Sequence, residues 1–242
     1  HYYETVNQSL TLQHIPKKDT PLFLGQMRAY SGVAGVAGLV VVYGLSSVLG
    51  YEILLLGAGH HMETLVLFSI VKFPKVKERV QQRKGIVLRK KYGLFYALTF
   101  LSGARRQIFI AFAVFLLVSK HAFTVKEVTL LFLANSLLTI FAGPLIGRLV
   151  QRRGERFVVM LEYSGLLFVF MGYTLLDSRW ALAGLYLLDH VFFNMSIAIR
   201  TYFQKIAEPA DLAPSMGVSL TINHIAAVVV PPVGGLLWLI DF

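Results

Sequence analysis

The sequence predicts an all-α fold, a polytopic transmembrane helical bundle with about seven spans. The 242 residues are 56 % hydrophobic and only 15 % charged, with a mean hydropathy of +0.64, which is too apolar for a water-soluble domain of this length. The apolar residues also form segments long enough to cross a hydrocarbon core about 30 Å thick. The net charge of +10 is confined to the stretches between these segments, so it reports topology and predicts no nucleic-acid partner.

Seven apolar segments of suitable length follow one another along the chain. They are residues 31–50, 51–71, 94–118, 128–150, 157–176, 180–203 and 216–240. The polar stretch before the first segment contains Pro16 and Pro21, which predict a helix end followed by a loop. Gly50 and Tyr51 allow a tight turn, so the first two segments are expected to form a hairpin.

The stretch 72–92, between the second and third segments, is strongly basic. It carries nine Lys or Arg residues against the single Glu78, and the positive-inside rule places such a stretch in the cytoplasm. If successive loops alternate between the two sides of the membrane from this stretch onward, the inside loops carry eighteen Lys or Arg residues and the outside loops carry three. The predicted cytoplasmic loops are 72–92, 148–156 and 204–214, and the predicted outside loops are 119–127 and 177–179. The basic stretch itself is either a solvated loop or a site for anionic lipid.

A glycine-framed basic turn, GPLIGRLVQRRGER, joins the fourth and fifth segments at residues 143–156. Gly143 and Gly147 are four residues apart, a spacing that lets a neighbouring helix approach closely. Arg148, Arg152, Arg153 and Arg156 can meet helix C-termini and acidic side chains, and Gly154 lies among them in the turn. This turn resembles the loop signature of the major facilitator superfamily of transporters, in which a Gly-x-x-x-Asp-Arg core is followed by Gly and paired basic residues. Here Gly147 stands at the acidic position, and the stretch before Gly154 is longer.

The rest of the chain fits the same resemblance. A long basic loop divides two apolar blocks, and the run 206–217 leads into a segment rich in proline and glycine. The resemblance implies that residues 1–71 are the end of an N-terminal bundle with two full spans. It also implies that 72–92 is a cytoplasmic loop and that 93–242 is a C-terminal bundle of five spans, the last one truncated. The chain begins with His rather than Met and stops within an apolar run, so we expect an internal piece of a longer protein.

Two adjacent arginines, Arg105 and Arg106, lie near the middle of segment 94–118. Each costs about 2.5 to 3.5 kcal/mol on insertion scales unless it is paired or hydrated. Helical spacing places Arg106 on a polar face with Thr99 and Ser102, which we expect to look into a water-filled interior. Arg105 lies about 100° away and is free to serve a different partner. Both arginines either pair with acids on neighbouring helices or act in substrate binding and coupling, and the resemblance implies that this span lines the central cavity.

A second polar group at mid-span consists of Asp189, His190 and Asn194, with His190 and Asn194 one helical turn apart. We expect Arg106, with Arg105 as a second candidate, to lie near Asp189 and His190, since pairing is the cheapest remedy for charges in hydrocarbon. Asp189 either forms a fixed ion pair or exchanges a proton as its partner moves away. One aspartate against two arginines also favours a substrate with an anionic group.

Glu162 lies about five residues inside segment 157–176, near the basic turn. Arg148, Arg152 or Arg153 can reach it there. We therefore expect Glu162 to form a salt bridge of a cytoplasmic gate, with a purely structural pair as the alternative.

No metal site is expected. His60, His61 and Glu63 lie together in segment 51–71, but their spacing is not the His-Glu-x-x-His pattern of zinc enzymes. A helix contact or a proton-sensing role fits them better. The sequence also lacks a nucleophile elbow and a phosphate-binding glycine loop, so we expect no cofactor and no enzymatic activity.

Together these features predict a secondary active transporter that moves a small solute by alternating access. Protons are the favoured coupling ion because Glu162, Asp189 and His190 can titrate. The alternatives are a non-transporting membrane receptor or scaffold of the same fold and a metal-dependent membrane enzyme. The expected partners are a small-molecule substrate, protons and the lipid bilayer. The expected form is a monomer with several passes through the cell membrane.

Overall fold

The computed structural model describes residues 2–46, 49–72 and 79–241. All regular structure in these ranges is helical, without a β-strand, which confirms the all-α prediction. The helices are α1 (Tyr2–His14), α2 (Thr20–Ser46), α3 (Tyr51–Lys72), α4 (Gly93–Ile108), α5 (Val114–Ser119), α6 (Val125–Leu175), α7 (Arg179–Asn194), α8 (Ile197–Ile206) and α9 (Leu212–Asp241). Short 3₁₀ turns precede α4 and α9, and a π-helical turn, Phe109–Ala113, joins α4 to α5.

Four stretches of the described helices are long and apolar enough to cross a membrane. They are Thr20–Leu45, Val125–Leu175, Arg179–Ile206 and Pro209–Leu236. The second of these has 51 residues and contains two of the predicted spans. Large apolar side chains such as Val40, Leu56 and Phe168 lie exposed on the helices, as lipid-facing surfaces require. The count of seven spans stays a prediction.

α2 begins at Thr20, earlier than the first predicted span at residue 31. The predicted helix end and loop are present, because α1 ends at His14, but the start of the span was predicted too late. Pro21 lies in the first turn of α2, where its missing N–H costs nothing. The buried hydroxyl of Thr20 donates to the carbonyl oxygen of Pro16 at 3.0 Å. As a result Arg28, which the charge count had assigned to an inside loop, lies within a long apolar helix.

α6 folds back on itself at Gly154. This residue has φ 82° and ψ 164°, a conformation that glycine adopts readily and other residues do not. Val150 before it packs in one cluster with Val158 after it, and Glu127 near the start of α6 forms a salt bridge with Arg179, just beyond its end. A straight helix of 51 residues would separate those ends by about 75 Å. The basic turn is therefore a reversal at one glycine, and the arginines before it are still helical.

α2 packs against the first half of α6 through glycines. A Cβ atom placed on Gly25 would lie 2.3 Å from the carbonyl oxygen of Gly143, and one on Gly143 would lie 2.4 Å from the carbonyl oxygen of Gly25. A Cβ on Gly147 would lie 2.5 Å from the carbonyl oxygen of Pro21. The two backbones are thus in direct contact, which confirms the close approach predicted from the spacing of Gly143 and Gly147.

Two interruptions of helical geometry lie within predicted spans. The span predicted at 180–203 is two helices, because α7 ends at Asn194 and α8 begins at Ile197. The span predicted at 94–118 contains the π-helical turn, a feature frequent at functional sites.

Buried apolar clusters form around Leu117 and Leu182 and around Phe95 and Phe203. The charged residues described next lie between these clusters along α4 and α7.

Candidate functional site

Arg105 on α4 forms a buried charge cluster with Glu162 on α6 and Asp189 on α7. Its Nη1 donates to Glu162 Oε1 at 2.8 Å, and its Nε and Nη2 donate to Asp189 Oδ1 at 3.1 and 2.9 Å. Nη2 also donates to the backbone carbonyl oxygen of Asp189 at 2.8 Å. Arg105, Glu162 and Asp189 are 5 %, 0 % and 3 % exposed. One guanidinium therefore joins three helices in the interior.

The cluster holds two carboxylates against one guanidinium. Burying an ion costs several kcal/mol, which pairing and hydrogen bonds must offset. Glu162 Oε2 is buried and has no hydrogen-bond partner in the described part of the chain. With both acids ionised, the cluster carries one excess negative charge. A single proton on either carboxyl group would cancel this charge while Arg105 stays paired with the other.

Two partners in the cluster differ from the sequence prediction. Arg105, and not Arg106, binds Asp189, because the two side chains leave α4 about 100° apart and the rotation of the helix decides which one faces α7. Glu162 binds Arg105, so the gate salt bridge expected for it was wrong. Glu162 lies about 12 Å along the helix from Gly154, with its side chain turned inward. The arginines expected to bind it are exposed at the turn: Arg148, Arg152 and Arg153.

Two cavities adjoin the cluster. One of about 700 Å³ lies between α2, α6, α7 and α8, and one of about 260 Å³ is lined by α1, α4 and α9 together with residues of α2, α7 and α8. Both are lined by the same four residues, Arg28, Arg106, Phe193 and Arg200. A pocket of about 150 Å³ extends from Arg106 and Phe193 to Arg105 and Asp189. The cavities therefore meet beside the buried charge cluster.

Phe193 lies between two of the cations. The guanidinium carbon of Arg28 is 5.1 Å from its ring centroid and that of Arg105 is 5.4 Å away, both within cation–π range. Arg28 also donates from Nη2 to Ser196 Oγ at 3.1 Å. The aromatic ring thus borders the paired Arg105 and orients Arg28.

His190 and Asn194 line the larger cavity, as predicted for interior groups. His190 Nδ1 lies 3.0 Å from the carbonyl oxygen of Tyr186, and Asn194 Nδ2 donates to the carbonyl oxygen of His190 at 2.8 Å. His190 also lines the 150 Å³ pocket with Arg106 and Asp189. The structure brings these three together around one pocket, without a hydrogen bond among the three.

The match to known families agrees with this membrane architecture. The sequence model of the Major Facilitator Superfamily matches residues 3–231. The chain belongs to the Major Facilitator Superfamily. It is therefore a membrane protein of a transporter family. The comparisons with curated proteins and with solved structures gave no match.

Two cavity residues of this superfamily member, Arg28 and Arg200, were missed from the sequence. Both had been counted as charges of inside loops. One signal was available for Arg200, because Phe193, Ser196 and Arg200 are three and four residues apart and so share a helical face. The signal for Arg28 was Pro21, which marks the start of a helix seven residues before it.

The basic stretch of this superfamily member is partly docked onto the turn between α8 and α9. Tyr92 donates its hydroxyl hydrogen to Asp211 Oδ2 at 2.7 Å, and Glu208 accepts from Arg83 Nη2 at 3.0 Å and from Lys91 Nζ at 2.7 Å. We call this contact the loop clasp. Its residues are Arg83, Arg89, Lys91, Tyr92, Glu208 and Asp211. Residues 73–78 of the basic stretch lie outside the described residues.

Glu208 is the centre of the loop clasp. Hydrogen bonds from Arg89 and Lys91 lower the pKa of Glu208 to about 2. The backbone N–H of Arg83 also donates to the carbonyl oxygen of Ala210 at 2.9 Å. Over residues 79–92 the basic stretch is therefore not a simple solvated loop.

Of the possible metal ligands on α3, the structure describes the side chains of His60 and Glu63. His60 Nδ1 lies 3.1 Å from Glu63 Oε2, and both side chains are largely exposed. The side chain of His61 lies outside the described residues. In the described ranges there is no group of three or more His, Cys, Asp or Glu side chains that could hold a metal ion.

Proposed function

We propose that the chain is a secondary active transporter of the cell membrane that moves a small solute by alternating access and is driven by protons. The observation that carries the proposal is the buried charge cluster of Arg105, Glu162 and Asp189 at the meeting point of the cavities. Membership of a transporter family supports the general class. The coupling ion is inferred from the cluster.

The cluster supports proton coupling through its imbalance of charge. In the arrangement described, Asp189 takes three of its hydrogen bonds from Arg105, two at Oδ1 and one at its backbone oxygen. If α4 and α7 move apart, Asp189 loses its counter-ion, and a proton is the smallest group that restores its neutrality. Proton binding at Asp189 would then favour one of two helix arrangements over the other.

The fold supports such a movement at three places. The break between α7 and α8 and the π-helical turn after α4 interrupt regular helices on either side of Asp189 and Arg105. The contact of α2 with α6 includes a direct approach of the glycine backbones at Gly25 and Gly143. Rotation between packed helices is concentrated at such breaks and smooth contacts.

The proposal is tested with purified protein reconstituted in liposomes that contain a pH-sensitive dye. An inward proton gradient is imposed, and a panel of anionic, neutral and cationic radiolabelled solutes is offered outside. We expect one class of solute to accumulate together with acidification of the interior, and a protonophore, which dissipates the gradient, to abolish the accumulation. Solute binding without any uptake would indicate a receptor, and uptake that ignores the gradient would contradict proton coupling.

A further inference from the structure

The two cavities meet at three arginines and one aromatic ring. Four residues line both cavities, and we call them the arginine junction: Arg28, Arg106, Phe193 and Arg200. They come from α2, α4, α7 and α8, so only the folded bundle brings them together. A solute in either cavity therefore contacts the same set of guanidinium groups.

No acidic side chain in the described ranges forms a salt bridge with the arginine junction. Glu162 and Asp189 are bonded to Arg105. Glu4 lines the smaller cavity, but it is exposed and accepts a hydrogen bond from Gln8 Nε2 at 3.0 Å. Glu4 and Glu162 attract Arg200 and Arg28 electrostatically but form no salt bridge with them. The junction thus holds three like charges that repel one another, without a salt-bridged acid among the described residues.

The charge balance indicates how many negative charges a ligand would bring. Glu4 is exposed, so water and salt screen its charge, and it is left out of this balance. The three guanidinium groups of the junction then face only the buried charge cluster, which carries one excess negative charge when both its acids are ionised. Two positive charges remain, and a dianion cancels them. Uptake of a proton by the cluster would raise the remaining charge and strengthen the binding of an anion, so proton and anion would favour each other's binding.

The donors of the junction suit an oxyanion. Arg106 Nε is buried and has no hydrogen-bond partner among the described residues, so its N–H is available to a bound group. Arg28 is oriented by Ser196 and by the ring of Phe193. Guanidinium groups bind carboxylates and phosphates through two parallel hydrogen bonds, which gives both strength and orientation.

The structure assigns a small organic dianion, either a dicarboxylate or a phosphate monoester, to the arginine junction. The identification of this dianion as the transported solute rests on the proposed function. The carbon skeleton of the ligand occupies the larger cavity, whose volume is about 700 Å³, and its carboxylates or its phosphate bind the junction.

Binding is measured by isothermal titration calorimetry on the purified protein in lipid nanodiscs at neutral pH. The probes form matched series that differ in charge: succinate, succinamate and succinamide, and glycerol 3-phosphate with glycerol. We expect succinate or glycerol 3-phosphate to bind at least about tenfold more tightly than the less charged members of its series, because each charge removed abolishes charge-assisted hydrogen bonds.

Variants connect this binding to the junction. Arg106→Gln and Arg200→Gln should each weaken binding of the dianion by at least about tenfold, while Arg152→Gln, which changes an exposed arginine at the α6 reversal, should leave it unchanged. Thermal unfolding shows which variants fold, and either junction variant alone decides the test. Binding of succinamide as tight as that of succinate, no binding of either dianion, or wild-type affinity in a folded junction variant would overturn the assignment.

The results also separate this inference from the proposed function. Dianion binding that depends on the junction but gives no proton-linked uptake contradicts the transporter and supports the site. Proton-linked uptake of a neutral or cationic solute contradicts the assigned ligand and supports the transporter.

Discussion

Arg105 Nη1 lies 2.8 Å from Glu162 Oε1, although the two residues are 57 positions apart in the chain. Their side chains are 5 % and 0 % exposed. Because Arg105 also donates to Asp189, its guanidinium is held by an acid on each side. Arg105 is therefore paired with two acids, whereas Arg28, Arg106 and Arg200 form no salt bridge with a described acid.

Replacing Asp189 with asparagine should separate coupling from binding. Asp189→Asn removes the carboxylate proposed to exchange the proton, so proton-driven accumulation in liposomes should be lost, while solute exchange, which needs no net proton movement, should stay measurable. Glu63→Gln is the control, because that carboxylate is exposed on α3 and should not affect accumulation. Normal proton-driven accumulation by Asp189→Asn would rule out its coupling role.

Removing Arg105 should destabilise the bundle. Arg105→Met leaves two carboxylates buried without their cation, and the loss of one partner from such a group costs about 3 to 5 kcal/mol. Neutralising the acids as well, in the triple variant Arg105→Met, Glu162→Gln and Asp189→Asn, should recover most of that stability. Denaturant unfolding in micelles measures both changes. A triple variant no more stable than Arg105→Met would show that packing, and not charge, explains the loss.

The glycine contact between α2 and α6 should not accept a methyl group. In Gly25→Ala the new Cβ would lie 2.3 Å from the carbonyl oxygen of Gly143, so the helices must separate, at a cost of about 1 to 3 kcal/mol. Gly38→Ala, in the same helix, meets no atom within 4 Å and should stabilise the protein slightly through helix propensity. Thermal unfolding of the two variants compares them directly, and equal melting temperatures would contradict the close contact.

The stabilisation that Glu208 gives to the loop clasp should persist well into the acidic pH range. Because the pKa of Glu208 is lowered to about 2, its carboxylate stabilises docking fully above its ordinary pKa near 4.3. This contribution declines as the pH falls further and is gone below about 2. Hydrogen exchange at the Arg83 amide, compared between the wild type and Glu208→Gln, measures it. A difference between the two proteins that disappears already at pH 6 would contradict this assignment.

Single cysteines test the predicted topology, since the described chain has no native cysteine. Ser119→Cys lies at the predicted outside end of α5, and Lys84→Cys lies in the basic stretch predicted to be cytoplasmic. An impermeant maleimide added to intact cells should label the first and not the second. If only Lys84→Cys were labelled, the orientation of every helix would be opposite to the predicted one.

The helices and the interior charges were predictable because both follow from the cost of placing chemical groups in hydrocarbon. Apolar runs predicted the helices. Charged residues within those runs, Arg105 and Asp189, predicted which helix faces lie in the interior of the bundle. Which neighbour each charge binds was not predictable. Adjacent residues such as Arg105 and Arg106 point about 100° apart, and only the packing of the whole bundle fixes the rotation of α4.

The arginines of the junction were missed for a related reason. Counting charges for topology treats a basic residue near the end of an apolar run as part of a loop. Arg28 and Arg200 satisfy that count, yet both line cavities. α2 begins earlier than hydropathy alone indicates, and Arg200 lies inside the segment predicted at 180–203. The sequence signals that place these two arginines in helices are the helix start at Pro21 and the shared helical face of Phe193, Ser196 and Arg200.

The backbone contact of Gly25 with Gly143 also constrains how the protein is synthesised. At roughly 5 to 20 residues per second, the ribosome makes Gly143 about 6 to 24 seconds after Gly25. Throughout that interval the small-residue face of α2 has no α6 to cover it and must be shielded by lipid tails or by the insertion machinery. Slowing translation between these two glycines would lengthen the period in which α2 can pair with a wrong helix.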